Sequence, residues 1–260
     1  MQDRINAILE KDSYNVYDMT EIVRILRSEN GCPWDKVQTH SSIKKDMIEE
    51  AYEVAEAIDF DSPEMMREEL GDVMLQVVFH TVIEEEKGNF VLDDVADELC
   101  KKLIIRHPHV FGDVKADTVD KVLTNWDAIK KETKGQETFT DTLESVPKNF
   151  PALMRAQKLG KRAARAGIDF TKDKENEETD LYSAIKKALD AVKLAEVNKQ
   201  DASGDIGNLL LLCANLARRL DCDAEEALAD SCNDFIKRFK ELEEKGGELS
   251  KFSASELYPY

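Results

Sequence analysis

Glu50-x-x-Glu53 and Glu69-x-x-Asp72 place four carboxylates in two pairs, each with the spacing that a helix turns onto one side. Two antiparallel helices joined by a short loop would aim all four acids at one spot. Converging carboxylates repel one another unless a cation lies among them. An all-oxygen donor set suits a hard ion such as Mg2+ or Mn2+, and such ions commonly serve phosphate chemistry. Lys102 and Arg106, four apart, form one basic edge suited to phosphate oxygens. A solvated helix face is the competing reading for each pattern. Two features favour the metal for the acids. Glu50 flanks the apolar stripe of its helix, and Asp72 directly precedes an apolar segment, where an unpaired charge is costly.

Several other chemistries are excluded. Di-iron carboxylate bundles use Glu-x-x-His pairs. The residues three before His40, His80, His107 and His109 are Val37, Val77, Ile104 and Arg106, so none forms such a pair. There is no P-loop and no dinucleotide-binding glycine turn. A phosphate substrate must then be held by metal and basic side chains. The net charge is −18, which disfavours nucleic acid and anionic membranes as partners. That charge is uneven: residues 1–150 sum to −15 and residues 151–260 to −3. The five cysteines include no C-x-x-C pair, and the first residues carry no apolar signal-peptide core. No apolar run is long enough to span a bilayer. A cytoplasmic protein with reduced thiols is the expectation.

The elements that must position the acids read as helices. With 42% hydrophobic and 35% charged residues, and few Gly and Pro, the chain is expected to be ordered and all-α. Helices are predicted at 17–29, 41–59, 63–87, 92–106 and 118–132. In 41–59, Met47, Ala51, Val54, Ala55 and Ile58 form one stripe. Ser62 and Pro63 open the third helix. Its middle, Val73–Phe79, is apolar nearly all round, so protein should surround it, from this chain or from a partner subunit. Residues 133–151 are polar, contain Pro147 and Pro151, and read as a linker. A basic helix follows at 152–166, then a charged loop at 171–180, then helices at 181–198, 203–220 and 223–245. The basic helix is expected to present a solvated face.

The order of the motifs resembles the MazG family of nucleoside triphosphate pyrophosphohydrolases over nearly the whole chain. The resemblance rests on Asn30-Gly-Cys-Pro-Trp-Asp-Lys-Val-Gln-Thr-His40, Glu49-Glu50-Ala-Tyr-Glu53 with Glu69-Leu-Gly-Asp72, and Arg106-His-Pro-His-Val-Phe111. Asn125-Trp126, Lys130-Lys131-Glu132 and Pro151-Ala-Leu-Met-Arg-Ala-Gln-Lys158 agree as well. It implies the all-α NTP pyrophosphatase fold in tandem domains. It also implies a homodimer with sites at subunit contacts, and Mg2+-dependent cleavage of (d)NTPs into nucleoside monophosphate and pyrophosphate. By motif match, Glu50, Glu53, Glu69 and Asp72 would be the metal ligands, and Lys102 and Arg106 would grip the triphosphate. Glu49 would orient or deprotonate the attacking water, or stand behind the ligands. Trp34 and His40 would contact base or sugar, with a core position for Trp34 as the alternative. A narrow dUTP- or dCTP-type pyrophosphatase and a non-enzymatic dimeric binding module are the competing functions.

The second half reads as a worn copy of the first. Glu69–Gln76 aligns with Asp205–Leu212, Met47–Glu53 with Leu181–Lys187, and Cys100–Arg106 with Cys232–Arg238. The four ligand positions become Ala184, Lys187, Asp205 and Asn208, and Lys102 becomes Asp234. The expected layout is therefore a catalytic domain at 1–132, a linker at 133–151, and a metal-site-deficient domain at 152–260. The second domain would serve dimerisation, regulation or partner binding.

Overall fold

The computed structural model describes residues 1–115, 138–169, 180–246 and 252–258, with the single positions 117, 118, 121, 122, 126 and 129. Every regular element among them is helical, with no strand. None of these helices is long and apolar enough to cross a membrane. The chain divides into two compact units, Met1–Trp126 and Asp127–Tyr260.

Unit one contains α1 (Gln2–Leu9), α2 (Val16–Arg27), α3 (Lys44–Asp59), α4 (Pro63–Glu86), α5 (Leu92–Arg106) and the single turn α6 (Pro108–Phe111). The start of α2 is fixed by a reciprocal cap. The Asn15 side chain accepts from the Tyr17 and Asp18 amides, and the Asp18 carboxylate accepts the Asn15 amide at 3.0 Å. At α4, Ser62 Oγ accepts the Met65 amide and Pro63 takes the first helical position, as its ring geometry favours. Only Phe60–Ser62 separates α3 from α4, with Asp61 in the left-handed region at φ 48°. The short turn makes the two helices antiparallel neighbours, and they pack along their length.

The core of unit one joins Val23 of α2, Ile43 ahead of α3, and Val78, Phe79, Val82 and Ile83 of α4. It therefore sits further along α4 than the apolar run 73–79 suggested. Met74 and Leu70, beside the acids, remain exposed in the single chain. On α5 no residue is buried, although Leu99, Leu103, Ile104 and Ile105 are large and apolar. The sequence did not predict α1, which buries no residue and meets α2 through an Arg4–Glu21 ion pair. The helix expected at 118–132 lies largely outside the described residues.

Unit two contains α7 (Phe139–Glu144), α8 (Ala152–Arg165), α9 (Leu181–Val197), α10 (Ser203–Arg219) and α11 (Ala224–Glu244). Part of the stretch read as a linker is folded. Thr138 and Asp141 form a capping box that starts α7, which packs on α8, and Val146 just beyond it is buried. Arg162 of α8 donates to the Thr142 carbonyl and to Ser145 Oγ, so the basic helix is not simply a solvated face. α10 packs against both α8 and α9. The packing of α8 against α10 and the start of α11 is built on small residues, with Ala156, Ala214 and Ala224 buried together. A Cβ on Gly160 would stand 2.7 Å from Asn215 Oδ1, so a larger residue there would have to displace the Asn215 amide. The charged loop expected at 171–180 falls outside the described residues apart from Asp180.

Candidate metal centre

The α3–α4 hairpin brings the predicted acids together. Glu50, Glu69 and Asp72 each offer a carboxylate oxygen within 4.8 Å of the other two. Glu53, one turn along from Glu50, stands close enough to Glu69 to push its carboxyl upward. The geometry follows from helix periodicity: three-residue spacing on each helix aligns the pairs, and the tight turn sets the helices side by side. The Glu50 carboxyl is raised above its ordinary range, first by lost solvent and then by the charges of Asp72, Glu53, Glu49 and Asp46. Glu69 is raised by lost solvent, by the hydrogen bond with Glu53, and by the charges of Glu53, Glu68 and Asp72. No cation contributes to either shift. The donor chemistry fits a hard divalent ion, since the three converging groups are half-buried and offer oxygen ligands only.

Glu49 lies on the exposed side of α3, next to Glu50 in sequence. With Lys45, Ile48, Tyr52, Glu53 and Glu56 it lines an open hollow, so Glu53 belongs both to this hollow and to the acid cluster. Lys102 is exposed on α5, and Arg106 is half-buried with its guanidinium 5.3 Å above the Trp126 ring. His107 meets the same ring edge-on at 4.9 Å between centroids. Neither Lys102 nor Arg106 pairs with any of the four acids within the single chain. Trp34 is 60% exposed, which removes the alternative that it is core of its own unit.

Two features were missed from sequence. Trp126 stood in a matching motif, and its contact with Arg106 depends on a fold-back that no local pattern reveals. Arg27, in the last turn of α2, has a side chain only 5% exposed, where it binds Glu86 at 2.7 Å and two loop carbonyls. A cation at a helix C-terminus was the sole signal for it.

In unit two the aligned positions carry no such cluster. Among the described residues, the Glu50–Glu69–Asp72 group is the one set of three or more acids, His or Cys that converges this way. The second unit does keep a parallel to the Arg106–Trp126 contact. Arg238 Nε donates to the Leu257 carbonyl at 2.9 Å, and Tyr258 lies against Phe235 at 5.4 Å.

Comparison with known proteins places the hairpin in a family. The family description "MazG nucleotide pyrophosphohydrolase domain" matches residues 38–111, which hold all four acids. The nucleoside triphosphate pyrophosphohydrolase of Escherichia coli K12 is 40% identical over 232 residues, covering 86% of this chain and 85% of that protein. The chain belongs to the MazG family. The Thermotoga maritima protein named nucleoside triphosphate pyrophosphohydrolase/pyrophosphatase MazG is 41% identical, over 87% of this chain and 85% of its own length. A Mycolicibacterium smegmatis nucleoside triphosphate pyrophosphohydrolase is 35% identical over 222 residues. The likeness to these MazG proteins covers most of the chain, whereas the matched domain description stays within unit one.

Proposed function

We propose that this chain is a Mg2+-dependent nucleoside triphosphate pyrophosphohydrolase, converting (d)NTP and water to (d)NMP and pyrophosphate, with its active site in unit one. The observation that carries the reading is the convergence of Glu50, Glu69 and Asp72, with Glu53 close to Glu69. The names of the MazG relatives support the substrate class.

Glu50, Glu53, Glu69 and Asp72 would hold the metal. A bound Mg2+ supplies charge neutralisation for the triphosphate and acidifies water. In the reaction, water oxygen bonds to the α-phosphorus and the bond from that phosphorus to the α,β-bridging oxygen breaks. Pyrophosphate leaves with the bridging oxygen, and a carboxylate takes the water proton. Glu49 is the acid assigned that proton, because it borders the cluster while facing an open hollow. Lys102 and Arg106 would meet the negative charge of the polyphosphate.

Those two cations do not reach the acids within one chain. A homodimer accounts for this. Ile48, Tyr52, Leu70, Met74 and Leu103 leave an exposed apolar rim on α3, α4 and α5, and a second copy packed there would bring its own α5 to the site. The test is a panel of canonical and modified NTPs assayed for pyrophosphate with and without Mg2+, together with sedimentation to count subunits. Release from several NTPs, abolished by chelation and by Asp72→Asn, is the expected result. Release from no NTP, or full activity in the Asp72 variant, overturns the assignment.

A further inference from the structure

The segment Gly31–Ile43, which carries Trp34, is held at both ends by side chains the proposed chemistry does not use. At its start, Cys32 N–H donates to the Leu26 carbonyl at 2.8 Å. A Cβ on Gly31 would lie 2.3 Å from the carbonyl oxygens of Ile25 and Leu26, so only glycine fits. Arg27 reaches from α2 to the Asp35 and Gln38 carbonyls at 2.7 and 3.1 Å. The same guanidinium pairs with Glu86 and lies 5.2 Å above the Phe79 ring. These contacts have no dependence on pH near neutrality, since arginine stays charged.

The far end is held differently. His40 and His80 stack with ring centroids 5.0 Å apart, and their Nδ1 atoms are 2.7 Å from each other. The other His40 nitrogen, Nε2, donates to Glu84 at 2.5 Å. Glu84 also accepts from Lys87 Nζ at 2.6 Å and from Asn89 Nδ2 at 2.5 Å. A Nδ1–Nδ1 hydrogen bond needs one proton between the two rings. If both Nδ1 atoms are protonated, two donors face each other at contact distance, and His40, whose Nε2 also carries a proton, bears a charge. We propose that His40, His80 and Glu84 form a latch that docks the Trp34 segment on α4 near neutral pH and releases it on acidification.

The surroundings agree with this direction. The His80 imidazole is lowered from its ordinary value, first by burial and then by the charge of His40. A histidine lowered in the docked state stabilises that state above its ordinary pKa, and the contribution is lost as the pH falls. Glu84 is held at about 2 by Lys87, Asn89 and His40, so it stays ionised as the pH falls toward 5.5. From α2, Arg24 and Arg27 are occupied by Glu85 and Glu86. From α3, the nearest charges in the chain are Lys44 and Lys45, both exposed. Lys87 and His40 are therefore the ionisable groups that contact Glu84, and His40 is the group that acts on His80.

The latch can be read without any activity assay, so its failure and that of the hydrolase reading are separable. Hydrogen exchange is measured on the full chain at pH 7.5 and 5.5, corrected for intrinsic rates, at the Lys36, Gln38 and Ile43 amides. These amides are bonded to Cys32, Asp35 and Thr39 carbonyls. Exchange there should rise by about fivefold at the lower pH, the change expected for one net hydrogen bond, while α4 core amides stay protected. His80→Asn keeps a polar partner for His40 that does not titrate, and should abolish the pH dependence. Equal protection of the wild-type segment at both pH values overturns the proposal. So does an unchanged pH response in His80→Asn.

Discussion

The two helical hairpins, α3–α4 and α9–α10, use one topology with opposite investments. The first fills its core with Val23, Ile43, Val78, Phe79, Val82 and Ile83, and leaves its other end to four acids. The second brings α10 against α8 through Ala156 and Ala214, and has Lys187 and Asn208 where two of the acids would be. Large side chains outside the second core stay exposed, including Leu194, Val197, Leu210 and Ile236. The contrast sets a converging acid cluster beside a core of large residues and a hairpin without the cluster beside a core of small ones. Mutually repelling carboxylates demand a hairpin anchored firmly elsewhere, and a hairpin freed of them can be held by close contacts between small residues.

The sharpest way to break this comparison is to exchange its chemistry. Asp72→Asn should lower pyrophosphate release by about a thousandfold or more, the scale of losing a central electrostatic group. Asn208→Ala should leave the rate unchanged. Equal losses in both variants would mean that unit two takes part in the reaction. The next largest effect is on stability. Phe79→Ala should cost about 3–5 kcal/mol in urea denaturation, because a bulky side chain leaves a cavity. Unit two should fail by the opposite error. Gly160→Ala should cost about 1–3 kcal/mol by overpacking against Asn215. If that variant is neutral, the α8–α10 spacing is looser than described.

The smallest effect is acid sensitivity. In unit one, Asp18 is lowered mainly by its hydrogen bond from Lys11, Glu21 mainly by Arg4, and Glu84 lies at about 2. Carboxylates lowered by folding contribute stability above their ordinary pKa, and that contribution is lost as the pH falls through the folded value. In unit two Asp201 is lowered, held by Ser203. Exchange followed from about pH 5 down to about pH 2.5 should therefore show α4 losing protection before α10. The reverse order would contradict the charge contrast between the units.

The parts legible in the sequence are those that obey local periodicity. The Ser62–Pro63 start placed α4, and the paired acids predicted their own convergence because i, i+3 spacing and a three-residue turn suffice to produce it. What stayed hidden depends on distant partners. The core of unit one was displaced along α4 because Ile43 and Val23 pack against positions 78–83, which the composition of α4 alone does not show. The Thr138–Asp141 cap is readable in a polar stretch only once α8 gives α7 something to pack on. Lys102 and Arg106 were expected to grip a triphosphate, and their i, i+4 spacing does not say where on the fold they stand relative to the acids.

The turns that close these hairpins carry a different kind of record. Asp61 follows α3 in the left-handed region, and Lys199 follows α9 in the same conformation, at φ 48° and 54°. Gly88 after α4 is matched by Asp221 after α10, at φ 74° and 55°. Three of these four residues are not glycine, although the conformation costs an ordinary residue about 1–2 kcal/mol. Side-chain chemistry can be erased by single substitutions, but a turn that sets where the next helix begins can change only if everything after it moves. The bends of the chain thus match between the halves at places where the side chains aligned with the acids do not.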